Sequence, residues 1–253
     1  MRRTFLILSL IFALRCKSKE QTAAPIPPHL QKAVVLCFHD ITPGAVRKGI
    51  SGRYSVSLTD FREILDALST YKIVSLRDWV EAKDPNDTRP RVVLTFDDGY
   101  AAHRELVLPE LRRRQIGATF FFYADALRRD KKWYLLAANE QAFDFGSHSW
   151  SHALLKDVGY DELFKELYLA RGFLETATHK EIKSFAWPYG YYNPDALRAA
   201  RSAGFAYQVS VDYRVATRDD IAKIIPRYTV FGKEPVAQVR QILGEFRAKM
   251  PQP

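Results

Sequence analysis

From residue 33 to residue 229, short apolar runs of strand length alternate with stretches of helical periodicity, and half of the runs end on a polar cluster. Repeated strand-helix units of this kind point to a mostly parallel sheet covered by helices, open or closed into a barrel. The strand-like runs are residues 33–38, 73–76, 91–96, 118–123, 143–147, 183–187, 205–211 and 224–229. The helical patterns are 59–70, a short helix after Ser75, 105–115, 161–176, a segment from Pro194, and 236–249. No fixed-period repeat interrupts this alternation, so residues 33–253 read as one domain. With 47% apolar residues, 16 Phe, 13 Tyr and 4 Trp in 253 positions, that domain can bury a sizeable core.

In parallel α/β folds the loops that follow strand C-termini build the functional site. Four polar clusters obey that rule here: His39-Asp40, Asp97-Asp98-Gly99, His148 with His152, and Pro188-Tyr189-Gly190. They should therefore share one rim. His148 and His152 are four residues apart, so a helical turn or a tight loop can aim both imidazoles at one ion. Two histidines and a carboxylate suit zinc or a similar divalent metal, which polarises a carbonyl and acidifies water. One carboxylate is enough for the metal, and its neighbour is then free to take a proton. Hydrolysis of an amide or ester is the chemistry these groups favour. Ser149 follows His148 where a His-Glu-x-x-His protease carries glutamate, so that class is excluded. Each motif alone is compatible with an ordinary turn or a structural histidine. Their co-occurrence at strand ends is what favours a site.

The N-terminus reads differently. Met1-Arg2-Arg3 precedes an apolar run over residues 5–14 that is too short to span a bilayer, the pattern of an export signal over residues 1–16. Ala13-Leu14-Arg15-Cys16 resembles a bacterial lipobox, with Arg15 where a small residue is usual, and makes Cys16 a lipidation site; ordinary cleavage or a retained anchor are the alternatives. Residues 17–32, polar and bearing Pro25, Pro27 and Pro28, read as a flexible tether. The expected location is the bacterial cell envelope, lipid-anchored to its membrane through Cys16, or else periplasmic or secreted. One lipid chain binds only weakly, so stable anchoring needs several chains or a basic surface. Cys37 is the one remaining cysteine, which excludes a disulfide framework, and its apolar surroundings mark it as a small core residue. The net charge of +9 is spread along the chain, as solvated helix faces usually are. Export and the lack of a recognition motif argue against nucleic acid, and no protein partner is indicated.

Thr95-Phe96-Asp97-Asp98-Gly99-Tyr100 and His148-Ser149-Trp150-Ser151-His152 resemble the first two motifs of the polysaccharide deacetylases, carbohydrate esterase family four. Phe185-Ala186-Trp187-Pro188-Tyr189-Gly190 resembles the third. Leu36-Cys37-Phe38-His39-Asp40, Tyr54-Ser55-Val56-Ser57 and Tyr71-Lys72-Ile73-Val74-Ser75-Leu76 are similar to the subgroup that acts on poly-N-acetylglucosamine. The resemblance implies a distorted (β/α) barrel over residues 33–253 that removes acetyl groups from an N-acetylglucosamine-containing polymer, whether poly-N-acetylglucosamine, peptidoglycan or chitin-like. It implies Asp97 as base, Asp98, His148 and His152 as metal ligands, and the Tyr189 backbone N–H as oxyanion donor. The implied cofactor is one divalent ion, zinc first, with cobalt or nickel as alternatives.

Two departures stand out. Ala186 occupies the place of the motif arginine that orients the base in many members, and no histidine follows His179 to serve as the late general acid. His39 is a candidate acid or substrate contact, with a structural histidine bonded to Asp40 as the alternative. His103 lines the cleft or caps the next helix. Tyr100 and Trp187 are candidate substrate contacts, since aromatic faces stack on sugar rings, while core packing explains an individual aromatic equally well; the resemblance adds Pro188 on the groove wall and Asp212 at a groove-lining position. The departures keep two competitors in view: a non-catalytic glycan-binding lipoprotein, and a metal-dependent amidohydrolase acting on a cyclic imide or peptide.

Overall fold

All six side chains of Arg91–Phe96 are buried, and a strand covered on both faces requires a layer on each side of its sheet. The computed structural model, which describes residues 26–46, 52–130, 132–133, 136 and 143–250, supplies both layers. Its strands are β1 (Lys32–Phe38), β2 (Asp40–Thr42), β3 (Ser55–Ser57), β4 (Lys72–Val74), β5 (Arg91–Phe96), β6 (Ala118–Phe122), β7 (Phe143–Ser147), β8 (Ser184–Ala186), β9 (Tyr207–Val209), β10 (Ala216–Thr217) and β11 (Tyr228–Thr229). Its α-helices are α1 (Leu58–Ala67), α2 (Leu76–Val80), α3 (Leu108–Arg114), α4 (Ala124–Arg129), α5 (Tyr160–Phe164), α6 (Ala170–Thr178), α7 (Pro194–Ser202) and α8 (Pro235–Ala248). The signal segment 1–16, Cys16 within it, and tether residues 17–25 lie outside the described residues. Leu30 is already buried in a 3-10 turn, Pro28–Leu30, so the folded part starts ahead of Ala33.

The main sheet runs β10-β1-β5-β6-β7-β8-β9, parallel throughout except for β10. Residues 225–229 then join its two ends. Ile225 bridges Val209 of β9, and Tyr228 and Thr229 pair with Leu36 and Cys37 of β1. The sheet thus curls into a distorted barrel. The run expected as one strand over residues 224–229 is broken in the middle because Pro226 has no N–H for a ladder bond.

Two apolar clusters follow from this closure. The larger lies between sheet and helices, where Phe96, Phe120, Phe122 and Phe145 stack from strand to strand. The smaller, including Val35, Val93, Phe121, Ala186, Val209 and Ile225, fills the barrel interior. Because side chains alternate along a strand, the interior face of β1, β5 and the closing segment continues upward as Cys37, Thr95 with Asp97, and Arg227. The fill therefore changes from apolar to polar toward the strand C-termini. The antiparallel β10, the β2–β3 pair and α4 had no counterpart among the sequence expectations; the first two are only two or three residues long, below the length at which periodicity registers.

Candidate active site

Asp97 and Asp98 follow β5 directly, and the chain turns there through the left-handed region, with φ 72° at Asp98 and 70° at Gly99. A Cβ on Gly99 would meet Phe122 Cδ1 at 2.5 Å, so both its conformation and its contact require glycine. Asp97 turns inward and is buried, while Asp98 points across the barrel mouth. His148 and His152 follow β7. His152 also has positive φ, 65°, as do Ser149 at 73° and Tyr189 at 60°. Left-handed conformations of side-chain-bearing residues cost energy and collect at functional sites.

Neighbouring groups hold that loop in place. His152 N–H donates to Ser149 Oγ at 2.9 Å. The buried carboxylate of Glu166 accepts from the N–H groups of Trp150 and Ser151, each at 2.9 Å, and from the Ser151 hydroxyl at 2.7 Å. Glu166 sits in a π turn, Lys165–Leu169, between α5 and α6, a widening of the helix that recurs at functional sites. Its role was not visible in the sequence, where residues 161–176 read as a plain amphipathic helix.

Asp98 Oδ1 lies 3.5 Å from His148 Nε2 and 3.3 Å from His152 Nε2. The three atoms are mutually within 4.8 Å, yet Asp98 Oδ1 is buried and accepts no hydrogen bond. The Ala186 carbonyl can only accept, so His148 Nδ1, 2.7 Å away, carries the ring proton and leaves the Nε2 lone pair facing Asp98. Two imidazole nitrogens and an orphaned carboxylate oxygen are the donor set of an open divalent-metal site. Burial pushes the Asp98 carboxyl up, but the imidazoles of His148 and His152 outweigh it and hold it below the ordinary carboxylate range. Burial likewise works against a charged His148, and Asp97 and Asp98 reverse the balance and raise it.

Asp97 is paired with a residue the motifs did not reveal. The Arg227 guanidinium, fully buried, donates Nη1 to Asp97 Oδ1 at 2.8 Å and Nη2 to Oδ2 at 2.7 Å. It is held in turn by Thr95 Oγ1 at 3.1 Å and the Ser210 carbonyl at 3.0 Å. Burial alone would raise the Asp97 carboxyl; Arg227, helped by His148, keeps it well below the usual range. The arginine missing at position 186 is thus supplied from the closing segment, while β8 offers only the Ala186 methyl at that position. The available signal was a basic residue inside an otherwise strand-like run.

A cleft of about 330 Å³ opens above these groups, walled by His39, Tyr54, Tyr100, Tyr189, Tyr213 and Phe231 among others. His39 Nδ1 is buried without a partner, and Asp40 is instead engaged by Ser55, so the His39–Asp40 bond is not formed. His103 is a core residue whose Nε2 meets the His39 carbonyl at 2.5 Å. Tyr100 is half-exposed on the rim, and burial, reinforced by Asp98, pushes its hydroxyl up to about 12. Trp187 lines the cleft from a buried position with Nε1–H on Gln208. Pro188 is buried beneath the wall, and Asp212 is exposed, with one carboxylate oxygen taken by the Ser210 hydroxyl; neither lines the cleft. The Tyr189 side chain stands over His152 at 4.6 Å, and its N–H opens a 3-10 turn, Pro188–Gly190, where the first donors lack an internal partner.

Residues 84–208 match the sequence profile described as polysaccharide deacetylase. Over that stretch the chain matches the polysaccharide deacetylase family. It is 25% identical over 197 residues to the poly-beta-1,6-N-acetyl-D-glucosamine N-deacetylase of Staphylococcus epidermidis, covering 70% of this chain and 68% of the relative. Its fold is that of the Streptococcus pyogenes deacetylase PplD, solved in complex with acetate, at TM-score 0.73 and 18% identity over 83% of this chain and 97% of that one. IcaB from Ammonifex degensii superposes at TM-score 0.66 and 20% identity, over 83% and 96%. The motif segments around Asp97, Asp98, His148, His152 and Tyr189 all fall within the family match, whereas His39 and Arg227 lie outside it.

Proposed function

We propose that this chain removes N-acetyl groups from an N-acetylglucosamine-containing polysaccharide, using a divalent cation bound by Asp98, His148 and His152. The observation that carries the reading is the buried, bondless Asp98 Oδ1 facing two imidazole nitrogens, with a separately paired carboxylate, Asp97, beside it. Bound there, such a cation supplies Lewis acidity toward an acyl oxygen and toward water. The chain supplies the rest. Asp97, kept ionised by Arg227, accepts the proton of the attacking water. The Tyr189 N–H, fixed by its left-handed backbone, donates to the developing oxyanion, an interaction worth about 3–4 kcal/mol in comparable sites. His39 is the one histidine on the cleft wall besides the two ligands, and we assign it the contact to the leaving amine. Tyr54, Tyr100, Tyr189 and Tyr213, all partly exposed on the cleft wall, offer faces for sugar rings.

The Arg227–Asp97 pair favours turnover over the binding-only alternative, because it restores the base-orienting charge that Ala186 removes. We further assign the protein to the cell envelope, held through Cys16, on the character of its leader. The test is acetate release from chito-oligosaccharides, poly-β-1,6-N-acetylglucosamine and peptidoglycan strands by the purified protein loaded with zinc, cobalt or nickel. Binding of these glycans without acetate release, under every metal, would establish the binding-only alternative. Turnover of cyclic imides or peptides instead would establish an amidohydrolase.

A further inference from the structure

Cys37 is fully buried on β1, and its thiol lies 3.3 Å from Asp97 Oδ2, donating to it. Each carboxylate oxygen offers about two acceptor directions. At Oδ2 both are taken, one by Arg227 Nη2 at 2.7 Å and one by Cys37 Sγ at 3.3 Å. At Oδ1 Arg227 Nη1, at 2.8 Å, takes one. The two oxygens of the base are therefore inequivalent, and the inequivalence comes from Cys37.

We propose that Cys37 is a positioning residue for Asp97: its S–H completes the hydrogen bonding of Oδ2 and leaves Oδ1 as the oxygen that receives the proton. Cys37, His39 and Asp97 place donor atoms within 4.8 Å of one another, a spacing that would also suit a cation. The guanidinium already bonded to both Asp97 oxygens repels a second positive charge there. Burial, reinforced by Asp97, also pushes the thiol well above its ordinary range despite Arg227, so it stays an S–H donor rather than a thiolate ligand. The neighbouring charged and titratable groups are accounted for: Arg227 on the closing segment, Asp97 and Asp98 after β5, and His39 after β1.

The kinetic consequence rests on the deacetylase reading, so two readouts are needed. The full chain carrying Cys16→Ser contains Cys37 as its single thiol. Its infrared S–H stretching band should lie below the free-thiol position and move back toward it in Asp97→Ala. Steady-state kinetics should show kcat falling about five- to tenfold in Cys37→Ala and Cys37→Val with KM unchanged, as expected for a weak donor to a charged group. Cys37→Ser, which keeps a donor, should recover most of that loss, and melting temperatures separate this pattern from general destabilisation. A band at the free-thiol position, wild-type kcat in Cys37→Val, or Cys37→Ser no better than Cys37→Val would each overturn the proposal. If the wild-type chain hydrolyses no acetylated glycan, the deacetylase reading fails, and the band position still decides the hydrogen bond.

Discussion

Arg227→Met is the most informative single perturbation of this molecule. Methionine fills much of the volume of arginine but removes four donated bonds: two to Asp97, one to Thr95 and one to the Ser210 carbonyl. Asp97 would then be a buried carboxylate without its counter-charge. Breaking one partner of a buried ion pair costs about 3–5 kcal/mol, because the other charge stays behind. In an Asp97→Asn background the buried guanidinium is itself the charge without a partner, so the same replacement removes it and should cost close to nothing or stabilise. A coupling of at least about 3 kcal/mol between the two positions follows.

The assay is urea unfolding of wild type, both single variants and the double variant at pH 7, compared through midpoints at a common slope. The pH dependence gives a second check. In the wild type the folded Asp97 carboxyl sits below its unfolded value, so its contribution is fully present above the ordinary carboxylate range and is lost as pH falls toward the depressed folded value. Without Arg227 burial raises the carboxyl, and the variant instead loses stability as pH rises through that range. The gap between the two proteins should therefore widen from about pH 4 to pH 7. A cost below about 1 kcal/mol, or an equal cost with and without the Asp97 carboxylate, would refute the pairing argument.

Chelation should lower the melting temperature of protein purified with metal, and added zinc should restore it in wild type but not in Asp98→Ala or His148→Ala; at a hundredfold excess over Kd the gain is about 2.7 kcal/mol. Glu166→Ala should release the loop carrying His152 and weaken metal binding measured by calorimetry at least tenfold, whereas Glu166→Gln, which still accepts from the two backbone N–H groups, should lose far less. Asp144, 3.1 Å from Arg77, has its carboxyl raised to about 6 by burial, with Arg77 only partly opposing. A raised acid loses stabilising effect as pH rises through its unfolded and then its folded value, so Asp144→Asn should gain relative stability between pH 4 and pH 6, by up to about 3 kcal/mol. A pH-independent difference between Asp144→Asn and wild type would count against that account.

How much of this was legible in the sequence depends on whether the signal was local. The runs 91–96 and 143–147 coincide with β5 and β7 because they are fully or mostly buried, aromatic and β-branched, with turn residues at their ends. Asp97, Asp98, His148 and His152 announced themselves because one motif holds each pair and the strand rule places both motifs on one rim. Arg227 and Glu166 did not, since their partners lie 130 and about 15 residues away; a basic residue in a strand-like run was the one local mark of Arg227, and Glu166 had none beyond its place in an amphipathic helix. Cys37 was read as a small core residue. It is one by burial, and its bond to Asp97 depends on a parallel register that sets Cys37 beside Thr95. Pro188 shows the opposite error: its motif position is sound, but its ring packs inward.

The segment 225–229 joins β9 to β1 and carries Arg227 on its interior face. One stretch of chain near the C-terminal end thus both seals the barrel and charges the base, so no partly assembled form can hold a poised Asp97. In a chain emerging N-terminus first, Asp97 would lack its counter-charge until residues 225–229 had followed and docked between β9 and β1. The poised base is thus a late product of folding, formed only when the ring is shut.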